Sequence, residues 1–437
     1  MHRHFTSVCL AVLAAGLVLA GSAFAGDEAA LRDEVAKLRT QVEALSAQQA
    51  TMLEDEIDSY LGDQSAWQAA QGGEGGLKGV SLSARFTAVN QSTLGYDPVN
   101  RSLVNGDVDL DFDMQVTDRL DLFVHLTANA TDYFGNEDIP SLDAFPAGGF
   151  DIGAFSASGA TDGIGINGTV PTAPGSITVY EAGIRYAMPV GEMTLNWEMG
   201  SLDPRTRFLQ TAYADDENTQ FINNLFDDSP SIWWLTDATG VDALGWYMWL
   251  NFGDQDQFEL SWGWWNTAGQ WWNNGQFYAQ VAWEGEGAGR ALNLRAMVLS
   301  DEVHEDGNGD GDLAFGFSGD YLVTEKIGLF FRFAMNNEDI NPVEMDFEIG
   351  AAFFGLIESR PDDVIGVAFG YIAINDTVTG PLPEDTEMTI EVYYNFALED
   401  GKLQVTPHFM WIMDPNGNAF SGDDSLMILG VRVFVPF

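Results

Sequence analysis

Asp107, Asp109, Asp111 and Asp113 occupy alternate positions in one stretch, and Gln115 continues the series. In an extended strand successive side chains leave opposite faces. These carboxylates therefore share one side, and Val108, Leu110, Phe112, Met114 and Val116 share the other. The division recurs in three further stretches. Glu344, Asp346 and Glu348 alternate with Val343, Met345, Phe347 and Ile349; Glu391, with Thr389, Tyr393 and Asn395, alternates with Met388, Ile390, Val392, Tyr394 and Phe396; Glu259 and Ser261 alternate with Phe258, Leu260, Trp262 and Trp264. Asp121 also falls on a polar face. Such carboxylates beside water attract cations, and low-dielectric walls around the water focus their field. Arg332 alternates with Ile327, Leu329, Phe331 and Phe333, so it belongs to the polar side. With Arg85, Arg185, Arg207 and Arg295 it is among the few basic groups on or near strands. An arginine facing an acidic wall sets up either a transverse field or a plain ion pair, and the sequence leaves both readings open.

Metal and catalytic chemistry find less support. Asp306, Asn308, Asp310 and Asp312 open like an EF-hand-type calcium loop, but Phe317 stands where the closing bidentate carboxylate belongs. No cofactor is expected, with calcium in an external loop left as the alternative to a solvated turn. Past residue 25 the histidines are His125, His304 and His408, widely scattered, and there is no cysteine. Neither a G-x-S-x-G element nor a phosphate-cradling glycine motif occurs. An enzyme is not expected.

Composition narrows the class. The 437 residues carry 66 acidic and 18 basic side chains, a formal charge of −48, which excludes a nucleic-acid partner. With 46% hydrophobic and 12% aromatic residues the chain is too apolar for an acidic disordered protein. No apolar run of ~18 residues lies past the N-terminus, so no helical span is expected there.

The N-terminal quarter divides into three parts. Residues 1–25 read as a cleaved signal peptide: Arg3 near the start, an apolar stretch from Val8 to Leu19, then Ala23-Phe24-Ala25 in the A-x-A pattern. A short membrane anchor is the alternative. Cys9, the only cysteine, lies inside this segment, so no disulfide can form after cleavage. Residues 26–62 read as a coiled-coil stalk, because Leu31, Val35, Leu38, Val42 and Leu45 recur at alternating steps of 4 and 3. So short a helix needs identical neighbours, which makes it an oligomerisation element, with a lone packed helix as the alternative. Residues 63–77, with Gly72-Gly73 and Gly75-Gly76, form a flexible linker.

From 78 to 437 the period is two. A soluble sandwich would bury the apolar faces, whereas an outer-membrane barrel turns them to lipid and lines its interior with the polar ones. About seventeen such stretches, short turns at Thr117-Asp118, Val190-Gly191 and Glu399-Asp400-Gly401, and long polar loops between others favour the barrel. A last strand ending in Phe437 resembles the signal that barrel-assembly machinery reads. The pairs Trp233-Trp234, Trp264-Trp265 and Trp271-Trp272 suit interfacial girdles or loop packing. The fold class is all-β, a transmembrane antiparallel barrel of 16 strands at roughly 22 residues per strand and loop, with 18 as the alternative. Strand parity counted from the two ends conflicts across 202–230.

Two groups of residues then resemble a family. Gly200-Ser201-Leu202-Asp203-Pro204 is followed by Asp215-Asp216-Glu217-Asn218-Thr219-Gln220-Phe221, and Leu403-Gln404-Val405-Thr406-Pro407 by Asp414-Pro415-Asn416-Gly417-Asn418. Together with Asp363-Val364-Ile365-Gly366-Val367 they are similar to the carbohydrate-selective porins of the OprB type, over roughly 160–437. Ser201 and Asp215 depart from the family's usual Lys and Asn. The resemblance implies a trimeric outer-membrane porin passing small hydrophilic solutes, sugars in the best-known members. It also implies that the segment from Leu202 to Phe226 folds inward, making Arg207, Asp215, Asp216, Glu217, Thr219 and Gln220 candidate constriction residues. A structural plug or a subunit contact is the alternative use of that segment. The acidic face would make the lumen cation-preferring. The rival function is a plugged barrel anchoring the outer membrane to the cell wall through the coiled coil.

Overall fold

The computed structural model describes residues 79–94, 102–129, 177–191, 193–216, 218–233, 244–252, 257–266, 275–301, 312–336, 343–375, 384–415 and 425–436. The expected signal segment, stalk and linker lie outside these residues, as do positions 306–311 of the calcium-like loop, Glu217, Trp234, Trp271, Trp272 and Phe437.

The alternating stretches become strands. They are β1 (Val80–Leu94), β2 (Ser102–Thr117), β3 (Leu120–Asn129), β4 (Ile177–Val190), β5 (Met193–Ser201), β6 (Leu244–Phe252), β7 (Phe258–Asn266) and β8 (Gly275–Gly287). Then follow β9 (Arg290–Asp301), β10 (Asp312–Thr324), β11 (Ile327–Met335), β12 (Val343–Phe354), β13 (Val364–Ile374), β14 (Thr386–Leu398), β15 (Leu403–Met413) and β16 (Ser425–Pro436). Each pairs antiparallel with its neighbours in chain order, and β1 pairs with β16, so the 16 strands close into a barrel. Closure leaves no sheet edge unpaired, which is what allows strands to cross a bilayer.

Connections alternate between two rims. Tight turns join β2 to β3, β4 to β5, β8 to β9 and β10 to β11 at one rim. Gly191 (φ +67°) and Gly289 (φ +76°) take the left-handed conformation that two of these turns need. Longer connections lie at the other rim, including residues 202–243 between β5 and β6. The parity conflict is resolved here: among the described residues of that connection there are only a 3-10 turn (Pro204–Thr206) and two helical turns, α1 (Asn224–Asp227) and α2 (Pro230–Trp233).

The exposure pattern is inverted relative to a soluble protein. Phe112 and Ile349 are 39% and 49% exposed, whereas Glu348 and Glu391 are sealed at 0%. The apolar faces look outward, and a continuous apolar belt around a closed barrel is lipid-facing. Two details differ from the simple alternation. A register shift between Val343 and Met345 turns Val343 inward, where it is buried rather than on the outer face with Phe347. Trp265 points inward and is buried while Trp264 does not, so that pair is divided between the two sides of the wall.

Candidate functional site

The interior is organised by the segment 202–233, which lies along the inner wall. Its apolar side chains fit gaps in the strands. Phe208 stacks on Tyr278 (ring centroids 5.1 Å apart) and meets Tyr247 and Trp265 edge-on. Phe221 packs against Phe226, Phe330 and Tyr393. A Cβ on Gly316 would overlap Leu209, and one on Gly370 would overlap Leu225, so glycine at these two wall positions makes room for the segment.

Its backbone polar groups are satisfied by side chains of the wall, as buried amides and carbonyls require. Trp265 Nε1 donates to Leu202 O (2.9 Å), and Leu209 N donates to Gln280 Oε1 (2.8 Å). Arg295 donates to Gln210 O (2.7 Å), and Ala212 N donates to Asp320 (3.1 Å). Asn395 donates to Thr219 O (3.2 Å), and Arg432 donates to Gln220 O (2.9 Å). Glu391 accepts from Ile222 N and Asn223 N, both at 3.0 Å. Asp346 accepts from Ser229 Oγ (2.8 Å) and Ser231 N (2.7 Å).

Arginines bind the segment to the wall. Arg332 is buried, donates to Leu209 O (3.2 Å) and Phe226 O (3.3 Å), and pairs with Glu348 (3.1 Å) and with Asp215. The plain ion-pair reading therefore describes this arginine. Arg207 bridges Glu181 on β4 (2.6 Å) and Glu198 on β5 (2.9 Å). Burial alone would pull Arg207 down, but these two carboxylates hold it above the ordinary arginine value. Arg205 pairs with Asp203 (2.8 Å) and Asp228 (3.3 Å).

The acidic face expected from the sequence thus splits in two. Asp346, Glu348 and Glu391 point inward but lie beneath the segment, so they hold it rather than meet lumen water. Glu344, on the same strand as Asp346, is half-buried. Asp109 and Asp111 on β2 remain partly open, with side chains 15% and 20% exposed, and Arg85 faces them at 3.8 Å. Thr127 donates to Asp109 (2.8 Å) and Ser83 to Asp111 (3.1 Å). Asp113 and Asp121 lie toward the tight-turn rim on the same inner face, half-buried. Asp107 belongs to β2, with its side chain outside the described residues. Glu259 is half-buried on β7, 3.4 Å from Tyr247 Oη.

Of the candidate constriction residues, Arg207 and Asp215 are engaged as above. Asp216 and Thr219 bond to each other, and Gln220 donates to Ala212 O (3.1 Å). The sequence reading omitted Glu181 and Glu198 and set His125 aside as a scattered histidine, yet the fold brings the three together. His125 Nδ1 lies 3.1 Å from Glu181, and Arg185 bonds Glu198 at 2.7 Å. A usable signal existed: carboxylates inside otherwise apolar strands demand cationic partners, and arginines are scarce in this chain. Asp312 begins β10, with its side chain outside the described residues, so calcium at that loop stays untouched by the geometry.

A charged, partly exposed arc on β2 and β3, with Arg85 of β1 and Arg185 of β4, is therefore left beside a segment that docks on the wall from β4 through β14 and reaches Arg432 on β16. Residues 244–437 match the family model of carbohydrate-selective porins, OprB family. Over that stretch, the second half of the barrel, the chain is similar to this porin family. Porin B of Pseudomonas aeruginosa is 25% identical over 130 residues, which cover 25% of this chain and 28% of that porin's length. The high-pH structure of Pseudomonas putida OprB superposes with a TM-score of 0.63 at 16% identity, covering 82% of this chain and 94% of that one. The low-pH structure of the same protein gives a TM-score of 0.51 at 12% identity, covering 82% and 93%. The matched family is one of porins, which are outer-membrane channels and not enzymes.

Proposed function

We propose that this chain is a passive outer-membrane channel for small hydrophilic solutes, carbohydrates among them, with a preference for cations. One observation carries the reading: an apolar belt outside a closed barrel, with charged side chains on β1–β4 left open to water inside it. Asp109, Asp111, Asp113 and Asp121 outnumber Arg85 and Arg185 on that arc, and low-dielectric walls focus their field. Signal-peptide cleavage after Ala25, a 26–62 stalk and assembly as a homotrimer complete the proposal.

The test is conductance in planar bilayers. Discrete open steps are expected, with a reversal potential of cation-selective sign in a salt gradient and with reduced current on adding sugars. The rival, a plugged anchor that reaches the cell wall through the stalk, is favoured by the extent of the wall that 202–233 seals. Bilayers that stay silent with correctly folded protein would support it, and a measured anion preference would overturn the acidic-lumen reading alone.

A further inference from the structure

The connection between β12 and β13, residues 355–363, exceeds the other connections at its rim in length and is internally fixed. Gly355 N donates to Asp363 O (2.9 Å) and Arg360 N to Ile357 O (2.8 Å). Lys326, from the neighbouring β10–β11 turn, donates to Gly355 O (2.7 Å). Arg360 grips Asp363 through two nitrogens (2.8 and 2.7 Å) and reaches Ala397 O (3.1 Å). Asp363 also accepts from Tyr394 Oη (2.7 Å) and Ala397 N (3.1 Å). The Arg360 guanidinium lies over the Phe396 ring, 5.7 Å from its centroid.

Tyr394 and Phe396 belong to the lipid-facing side of β14. A turn that is bonded to those rings is folded back over the outside of the barrel, away from its mouth. On the limb that leads to its tip at Glu358-Ser359 stand Leu356 and Ile357, 51% and 48% exposed. Two adjacent aliphatic side chains on a pinned backbone, continuous with the apolar belt, are placed to leave water together.

We propose that this turn is a membrane-interface anchor: Leu356 and Ile357 enter the hydrocarbon edge of the leaflet at the tight-turn rim, with Lys326 and Arg360 at the depth of its phosphate headgroups. Long cationic side chains and aromatic rings are the groups that settle at that depth. The distribution of cations supports a lipid as occupant. Among the described residues, the basic side chains that do not face the interior are Arg119, Arg290, Lys326, Arg360 and Lys402, all at this rim. Asp118, Glu325, Glu358 and Glu399 accompany them, so the rim matches a zwitterionic headgroup without needing net anionic lipid. The proposal rests on the lipid-facing surface alone and is independent of what passes through the lumen.

The test uses the full chain with Cys9 replaced by Ser and a single cysteine introduced as Leu356→Cys or, in a second variant, Ile357→Cys. Each is labelled with an environment-sensitive fluorophore and reconstituted in phosphatidylethanolamine-rich vesicles, with Glu384→Cys, exposed in the β13–β14 connection of the opposite rim, as the water-exposed reference. The expected result is a blue-shifted emission and at least twofold stronger quenching by lipids carrying a nitroxide near the headgroup than at position 384, unchanged on tenfold dilution of protein in lipid. Emission equal to the reference would put these side chains in water and overturn the proposal. A blue shift that disappears on dilution would assign them to a second copy of the chain and overturn it equally.

Discussion

Replacing Arg332 with methionine is expected to release the segment 202–233 and to raise single-channel conductance with added current noise. Arg332 is buried and holds two carbonyls of the segment together with the carboxylates of Asp215 and Glu348. Removing one partner of a buried charge network leaves the others uncompensated, at a cost of about 3–5 kcal/mol. The barrel does not bear that cost, because its ladder hydrogen bonds run strand to strand and none requires Arg332. The loss therefore falls on docking of the segment. Proteolysis within 202–233 should accelerate in the variant while the barrel core stays resistant. A triple variant, Arg332→Met with Asp215→Asn and Glu348→Gln, removes all three charges and should recover much of the wild-type conductance, since a neutral replacement of a whole buried network is often near neutral. Wild-type conductance and protease resistance in Arg332→Met would contradict the docking role.

The second large effect is on selectivity. Changing both Asp109 and Asp111 to lysine should invert the sign of the reversal potential in a salt gradient. These carboxylates are the partly open ones, and Arg85 beside them at 3.8 Å, itself 41% exposed, offsets their field only in part, so it reaches the permeating ion. A unit charge at 4 Å contributes about 1 kcal/mol in water and about 4 at an effective dielectric of 20. Two reversed charges thus change the cation-to-anion permeability ratio by roughly tenfold or more, since about 1.4 kcal/mol is a factor of ten. The structural cost is modest: the bonds from Thr127 and Ser83 are lost, at about 1 kcal/mol each, together with the two loose pairs to Arg85, at about 0–1 kcal/mol each. Asp346→Asn serves as the control, because that side chain is covered by Ser229 and Ser231. It should alter docking of the segment and leave the sign of selectivity unchanged. An Asp109/Asp111 variant that remains cation-selective would show that ions travel by another route.

Much of the fold was readable from alternation alone. The polar face of β14 follows directly from Glu391 sitting between Ile390 and Val392, and the inward direction of Arg332 follows from its flanking Phe331 and Phe333. The strand number came from counting about seventeen alternating stretches and from a load of roughly 22 residues per strand and loop over 78–437. Local exceptions were not readable: the bulge that turns Val343 inward is a feature of pairing with Ile374 and Ala373, far away in sequence. Opposite placement of Trp264 and Trp265 was readable, because neighbours in a strand cannot share a face.

The candidate site was readable by face and not by environment. Asp111 and Asp346 occupy equivalent positions in equally clear alternating strands. One remains hydrated and the other is sealed, and the difference is made by Ser229, 117 residues from Asp346 in the chain. Local pattern has no access to a contact of that range. The stretch Leu202–Phe226 was recognisable as a long polar insertion of the kind porins fold inward. Which strands it would cover depends on shape matches such as Leu209 over Gly316, which only the folded barrel displays.

Thiol accessibility measures that division most directly. With Cys9 replaced by Ser, single cysteines at Asp111 and Asp346 are exposed to a small charged methanethiosulfonate reagent while current is recorded from open channels. Position 111 should react within seconds and lower the current, and position 346 should stay unmodified over the same interval. An inert thiol at 111 together with a reactive one at 346 would place the water path on the opposite wall and contradict the arrangement described.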